Sequence, residues 1–315
     1  MTPLRILAHS SETEFQYSPI LFVGFPRSGT TVLFEAFADH PELAWISNYA
    51  RVFPKFLIVN SVRRLFDNGI WKLRGAKKQF QDQPAYVGYL PRPDESYEFW
   101  TAYTDQRFSR DYLLGEEAPL HVQQKLRFAF EKTARYQGKP RITAKLTGPG
   151  RISYLNSIFP CGRFVHVIRD GLSVVKSLLN VPFWKEGGGF EEPWWRNGLT
   201  KLDLEMWSDF NRNPAVLAGI QWRRIIETTR EEAIRLGEGQ YFEIKYEDFL
   251  ANPPGTISNA WADIGLSPAV SGITLGSVRQ AEYRKLWSDS EKKMLIESMQ
   301  PEYSKLGYSG DEKVD

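Results

Sequence analysis

The sequence predicts an α/β fold, a central parallel sheet between two helical layers with helical and aromatic insertions over one side. Three observations predict it. Short apolar runs of strand length recur at ILFVGF (20–25), RITAKL (141–146), RFVHVIR (163–169) and YFEIKY (241–246). Each is followed by turn residues and then helical spacing, the βα rhythm of a buried parallel sheet. A glycine-bounded loop, GFPRSGTT (24–31), joins the first run to its helix.

Taken in order, the first run leads into a helix with Val32, Leu33, Ala36 and Phe37 on one face. The third leads into one carrying Leu172, Val175, Leu178 and Leu179. Residues 215–236 read as a long amphipathic helix with Leu217, Trp222, Ile225, Ile226 and Ala233 on one side. Ser288 and Glu291 have capping-box spacing before KKMLIESM. Residues 45–140 are helical and aromatic in pattern, without clear strands. No Gly/Pro/Ser linker bounds them, so they read as a cover over the sheet. The expectation is one domain over 1–315, with an N-terminal extension at 1–18.

Bulk composition narrows the function. With 40 Lys and Arg against 38 Asp and Glu, and no like-charge block, nothing argues for nucleic-acid binding or membrane steering. One cysteine, Cys161, excludes an internal disulfide, and the four scattered histidines (His9, His40, His121, His166) make a structural metal unexpected. HSSETEFQYS interrupts the N-terminal stretch, and no run approaches the ~18 apolar residues of a membrane span. A soluble, reduced, cytoplasmic protein is expected.

Strand, glycine-bounded loop and helix form an anion cradle, because loop and first-turn N–H groups converge and the helix dipole adds to them. The loop is P-loop-like, but Thr30 stands where a triphosphate site has lysine. Arg27, inside the loop, supplies a fork of donors instead. A tight turn with a surface arginine is the plain alternative. In RFVHVIRDGLSVVKSLLN (163–180), Arg169 lies at a strand's C-terminal end and Ser177 about two helical turns on. Ligands of parallel sheets bind at such ends, so these two residues could hold a second phosphate. Otherwise Arg169 pairs with Asp170 or another carboxylate.

Together PRSGTT and IRDG…S resemble the sulfotransferase superfamily, which uses 3′-phosphoadenosine 5′-phosphosulfate (PAPS). AKLTGPGRISYLNSIFP (144–160), KYEDFLANP (245–253) and the closing EYSKLGY are similar to that family's segments in the same order. The form most resembles bacterial and tyrosylprotein-type members. The resemblance implies a PAPS-dependent sulfotransferase of P-loop-like three-layer α/β/α fold, needing no metal and acting on a small, partly apolar hydroxyl acceptor. Arg27 and Lys145 would stabilise the leaving phosphate and the sulfuryl oxygens. Ser28, Gly29, Thr30 and Thr31 would cradle the 5′-phosphate, Arg169 and Ser177 would hold the 3′-phosphate, and Tyr246 would lie near the base. Lys145 also reads as a solvated strand-end lysine, and Tyr246 as core packing beside Phe242 and Ile244.

A general base is needed for the acceptor hydroxyl. Tyrosylprotein-type members carry a glutamate shortly after an HPE sequence, where this chain has Ser47, Asn48 and Tyr49. RPDESYEFW (92–100) makes Glu95 the candidate, with Glu98 and His121 behind it. A carboxylate at a helix N-terminus is the structural alternative for Glu95. Residues 181–210 group four tryptophans around Gly187–Gly189, as an aromatic lid on an apolar pocket or as loop packing. Competing functions are an atypical nucleoside-phosphate kinase and a catalytically silent nucleotide-binding protein.

Overall fold

The computed structural model of the chain describes residues 18–67, 89–268 and 283–309. Most of the expected N-terminal extension and part of the 45–140 cover lie outside the described residues. Five parallel strands form the sheet: β1 (Ile20–Gly24), β2 (Leu43–Trp45), β3 (Arg141–Thr147), β4 (Arg163–Ile168) and β5 (Tyr241–Lys245), in the order β2-β3-β1-β4-β5. Four are the apolar runs of the sequence. The fifth, β2, is three residues long, too short to show a period, and extends the sheet beside β3.

The helices that matter for the site are α1 (Thr30–Ala38), α2 (Tyr97–Tyr103), α3 (Leu120–Gln137), α4 (Ile152–Ile158), α5 (Gly171–Leu179), α6 (Lys201–Asp209), α7 (Pro214–Ala233), α8 (Pro253–Asp263) and α9 (Asp289–Met299). β1 shows how the layers form. Alternate side chains point to opposite faces, and both faces are buried. Leu21 and Val23 join Phe99, Trp100, Leu126, Phe130 and Leu155 of α2, α3 and α4. Ile20 and Phe22 join Leu33, Phe37, Ile257 and Trp261 of α1 and α8. A further cluster from α5, α7 and α9 includes Leu172, Val175, Trp222, Ile225, Leu295 and Met299. Asn213 caps α7 with Pro214 following, and the Ser288–Glu291 capping box forms at α9.

The C-terminal residues close over the ends of β4 and β5. The Tyr303 hydroxyl donates to Asp170 (2.9 Å), and that of Tyr308 to Glu247 (3.0 Å). Lys245 Nζ donates to the Leu306 carbonyl (2.7 Å), and Glu247 accepts the Asp170 N–H (2.9 Å). The turns after both strands are thus tied to one C-terminal segment.

β4 also carries His166, fully buried, with Nδ1 2.6 Å from the Tyr241 hydroxyl. That hydroxyl donates to Glu243 (2.7 Å), so Nδ1 holds the proton and donates to the tyrosine oxygen. Burial pushes the His166 pKa from 6.5 to about 4. The unfolded chain therefore takes up the proton first as pH falls, and stability conferred by neutral His166 is lost below pH 6.5. A loss of about 2 kcal/mol is expected between pH 7 and pH 5. Urea unfolding across that range checks it, with His166→Gln flattening the slope.

Candidate active site

The loop after β1 is built to leave donors unused. Gly29 caps α1 in the left-handed region (φ 87°), and no side chain caps the helix. Its leading N–H groups therefore have no partner within the helix. Ser28 and Thr30 are buried and Arg27 is exposed. Arg27 also has positive φ (71°), which for a branched guanidinium residue costs about 1–2 kcal/mol. Its Nε donates to Ser177 Oγ on α5 (2.9 Å), and Arg169 Nη1 donates to the Arg27 carbonyl (3.2 Å). The loop is thus joined by one hydrogen bond to the turn after β4 and by another to α5.

Arg169 does not pair with Asp170. The Asp170 carboxylate instead caps α5 through the Ser173 N–H (2.9 Å) and receives Tyr303. The Arg169 guanidinium lies 4.7 Å from the Tyr246 ring centroid, and among the described residues it meets no carboxylate. Trp222 Nε1 donates to its carbonyl (3.2 Å), fixing the turn from below. Tyr246 is buried, so the core-packing reading describes its ring, yet that ring also floors the loop. A Cβ added to Gly29 would come 2.1 Å from Tyr246 Cδ2.

Lys145 is not a solvated strand-end residue. It lies within β3 and is 9% exposed. Its ammonium donates to Thr31 Oγ1 in the loop (3.0 Å) and stands 3.4 Å from Glu95 Oε2. Glu95 does not cap the helix that follows it. Its Oε1 accepts the Thr147 hydroxyl (2.6 Å) and the Thr147 N–H. Thr147 is two residues beyond Lys145, on the same face of β3. Tyr97, half-buried and with its phenol pKa raised chiefly by desolvation, donates to the Thr147 carbonyl.

The Ser47-Asn48-Tyr49 segment lies beside this group. Ser47 bridges Pro93, the Asp94 N–H donates to the Ile46 carbonyl (2.9 Å), and Ser96 Oγ donates to the Ser47 carbonyl (3.2 Å). RPDESYEFW therefore runs alongside the segment where the resemblance expects a glutamate, and brings Glu95 to its flank. Glu98 is exposed on the first turn of α2, and His121 is exposed on the first turn of α3. Neither reaches Lys145 or the loop.

Glu95 opens into a cavity of about 330 Å³. With Glu95 it is lined by Tyr97, Thr147 and Pro26, by Ser109 and Arg110, and by the aromatic rings of Phe183, Trp184, Trp194 and Trp195. The 181–210 segment is thus a packed wall. Trp184 and Trp194 stack at 4.9 Å and 19°, and Trp195 meets Phe25 edge-on at 5.7 Å. Gly187 and Gly189 are closely packed by the indoles, since added Cβ atoms would meet Trp194 at 2.4 Å and Trp184 at 2.6 Å. Of the wall, sequence reasoning passed over Thr147, Tyr97 and Arg110. Thr147 was signalled by its spacing from Lys145, and Tyr97 by its place in RPDESYEFW; Arg110 had no signal.

Among the described residues no group of three or more His, Cys, Asp or Glu could hold a metal ion, and no helix is long and apolar enough to cross a membrane. Cys161 is free and exposed. A loop whose helix has no side-chain cap, a second basic turn and a buried lysine gather at one end of the parallel sheet of this α/β protein. Residues 19–268 match the family described as Sulfotransferase family, and the chain belongs to it. It is 22% identical over 269 residues to protein-tyrosine sulfotransferase 2 of Gallus gallus, covering 83% of this chain and 56% of that protein. It is 23% identical over 289 residues to omega-hydroxy-beta-dihydromenaquinone-9 sulfotransferase Stf3 of Mycobacterium bovis, covering 81% and 65%. The chain thus spans less than two-thirds of the length of either relative. The crystal structure of sulfotransferase STF9 from Mycobacterium avium shares the fold, with TM-score 0.50 and 14% identity over 92% of this chain and 69% of that one.

Proposed function

We propose that the chain transfers a sulfuryl group from PAPS to a hydroxyl of a small, partly apolar acceptor. The observation that carries this is the place of Lys145, between Thr31 of the anion loop and Glu95 of the cavity. One buried cation is shared by an anion cradle and a candidate base, as in-line transfer between the two requires.

The donor set fits the nucleotide. Thr30 and Thr31 amides and hydroxyls face a 5′-phosphate from the start of α1. Arg169, which meets no carboxylate among the described residues, would hold a 3′-phosphate with Ser177, and Tyr246, whose ring lies against Arg169, would sit near the base. Glu95 Oε2 takes the proton of the acceptor hydroxyl. The acceptor oxygen bonds to sulfur as the bond from sulfur to the 5′-phosphate oxygen breaks, giving a sulfate ester and adenosine 3′,5′-bisphosphate. Arg27 and Lys145 neutralise the charge that gathers on the departing oxygen, which is where such transfers gain most of their rate.

Calorimetry separates this from an atypical kinase. Adenosine 3′,5′-bisphosphate is expected to bind without a metal, and ATP with Mg²⁺ to bind more weakly. Arg169→Ala should weaken the bisphosphate about tenfold or more, the worth of a charge-assisted hydrogen bond. ATP binding without bisphosphate binding would sink the proposal. A hydroxyl-acceptor screen with labelled PAPS distinguishes an enzyme from a silent nucleotide-binding protein.

A further inference from the structure

The cavity is not electrically neutral along its length. At the Glu95 end the carboxylate is matched by Lys145 at 3.4 Å. Arg110 also lines the cavity; it is exposed, its guanidinium lies 4.6 Å from the Trp194 ring centroid and its Nη1 is 3.5 Å from the Trp194 carbonyl. These contacts are neutral. The neighbouring arginines are different: Arg107 and Arg196 both pair with Asp111, at 3.4 Å and 3.1 Å. Among the described residues Arg110 meets no carboxylate.

Its position is nonetheless fixed. The Arg196 N–H donates to the Arg110 carbonyl (2.8 Å), and the Tyr112 N–H donates to the Arg196 carbonyl (3.1 Å). This short pairing holds residues 110–112 against the aromatic segment. A cation presented from a fixed backbone, resting on an indole and facing an aromatic cavity, is a carboxylate-binding arrangement, since the planar fork of arginine matches a carboxylate in two hydrogen bonds.

We propose that the acceptor is an aromatic or apolar hydroxy-carboxylate, bound with its hydroxyl at Glu95 and its carboxylate at Arg110, and that Arg110 sets this specificity. The proposal rests on the sulfuryl-transfer reading of the site. Glu95 enforces the orientation as well as serving it. A carboxylate turned toward that end meets a like charge whose lysine is already engaged, whereas a neutral hydroxyl does not. The apolar body lies between Pro26 and the indoles, in a volume at the lower end of the range for small-molecule sites.

The test uses 3-(4-hydroxyphenyl)propionate and its methyl ester, with adenosine 3′,5′-bisphosphate present. Binding is read by tryptophan fluorescence, since three tryptophans line the cavity. The acid is expected to bind about tenfold or more tighter than the ester. In Arg110→Gln that ratio should fall to near one, while Arg110→Lys keeps part of it. Equal binding by the wild-type protein overturns the proposal, as does a ratio that survives Arg110→Gln, or no response to either compound. Failure of the transfer reading looks different: bisphosphate does not bind, or neither compound is sulfated from PAPS, while the acid-to-ester ratio and its dependence on Arg110 persist.

Discussion

Glu95→Gln is expected to lower kcat for sulfuryl transfer by about 10²–10⁴-fold, the usual worth of a general base. The substitution is conservative in shape. The amide oxygen can still accept from Thr147, which anchors Oε1 through its hydroxyl at 2.6 Å. Stability should therefore change by less than about 1 kcal/mol, and bisphosphate affinity by no more than a few-fold. What is lost is the ability of Oε2 to take a proton. Single-turnover rates with labelled PAPS give the direct reading. Full turnover by the variant would remove Glu95 from the mechanism, and Glu98 and His121, exposed and away from Lys145, could not replace it.

Gly29→Ala is expected to abolish nucleotide binding and to destabilise the fold by about 2–5 kcal/mol. Two costs add. Alanine at φ 87° carries about 1–2 kcal/mol of left-handed strain. Its Cβ would also stand 2.1 Å from Tyr246 Cδ2, an overlap that forces the buried ring to move, at about 1–3 kcal/mol. The ring cannot shift alone, because Arg169 rests on its other side and bonds to the loop. Urea unfolding measures the stability loss, and calorimetry the binding. Combining Gly29→Ala with Tyr246→Ala should recover the overlap cost and leave the strain. A single variant as stable as the wild type, with affinity unchanged, would show that the loop is not packed in this way.

The strands and the glycine-bounded loop were legible because their signals are local. Strand, turn and helix follow each other within GFPRSGTT and within IRDG…S, so chain order alone places donors at a helix start. The acceptor side depends on contacts between distant segments. Glu95 reads locally as a carboxylate near a helix N-terminus, and only its bonds to Thr147 and Lys145 set it in a site. The Ser47–Pro93 bridge sets the neighbouring segment that carries Glu95 beside Ser-Asn-Tyr at 47–49. Lys145 was ambiguous because a strand-end lysine and a buried one share the same local pattern. Burial at 9% decides between them. Tyr246 is buried as its core-packing reading expects, and its ring is also the floor of the loop.

The ties from Tyr303, Tyr308 and Leu306 carry a consequence for synthesis. Residues 24–31 are synthesised long before their supports at Tyr303, Leu306 and Tyr308. Until the C-terminal segment emerges, Asp170 and Glu247 lack the tyrosine hydroxyls that bond to them in the folded protein. The turn that presents Arg169 to the loop thus gains its full support only when translation reaches EYSKLGY. A nascent chain halted before that point holds the complete anion-loop sequence without its completed frame, which leaves such a chain to chaperones and proteases rather than to its ligand.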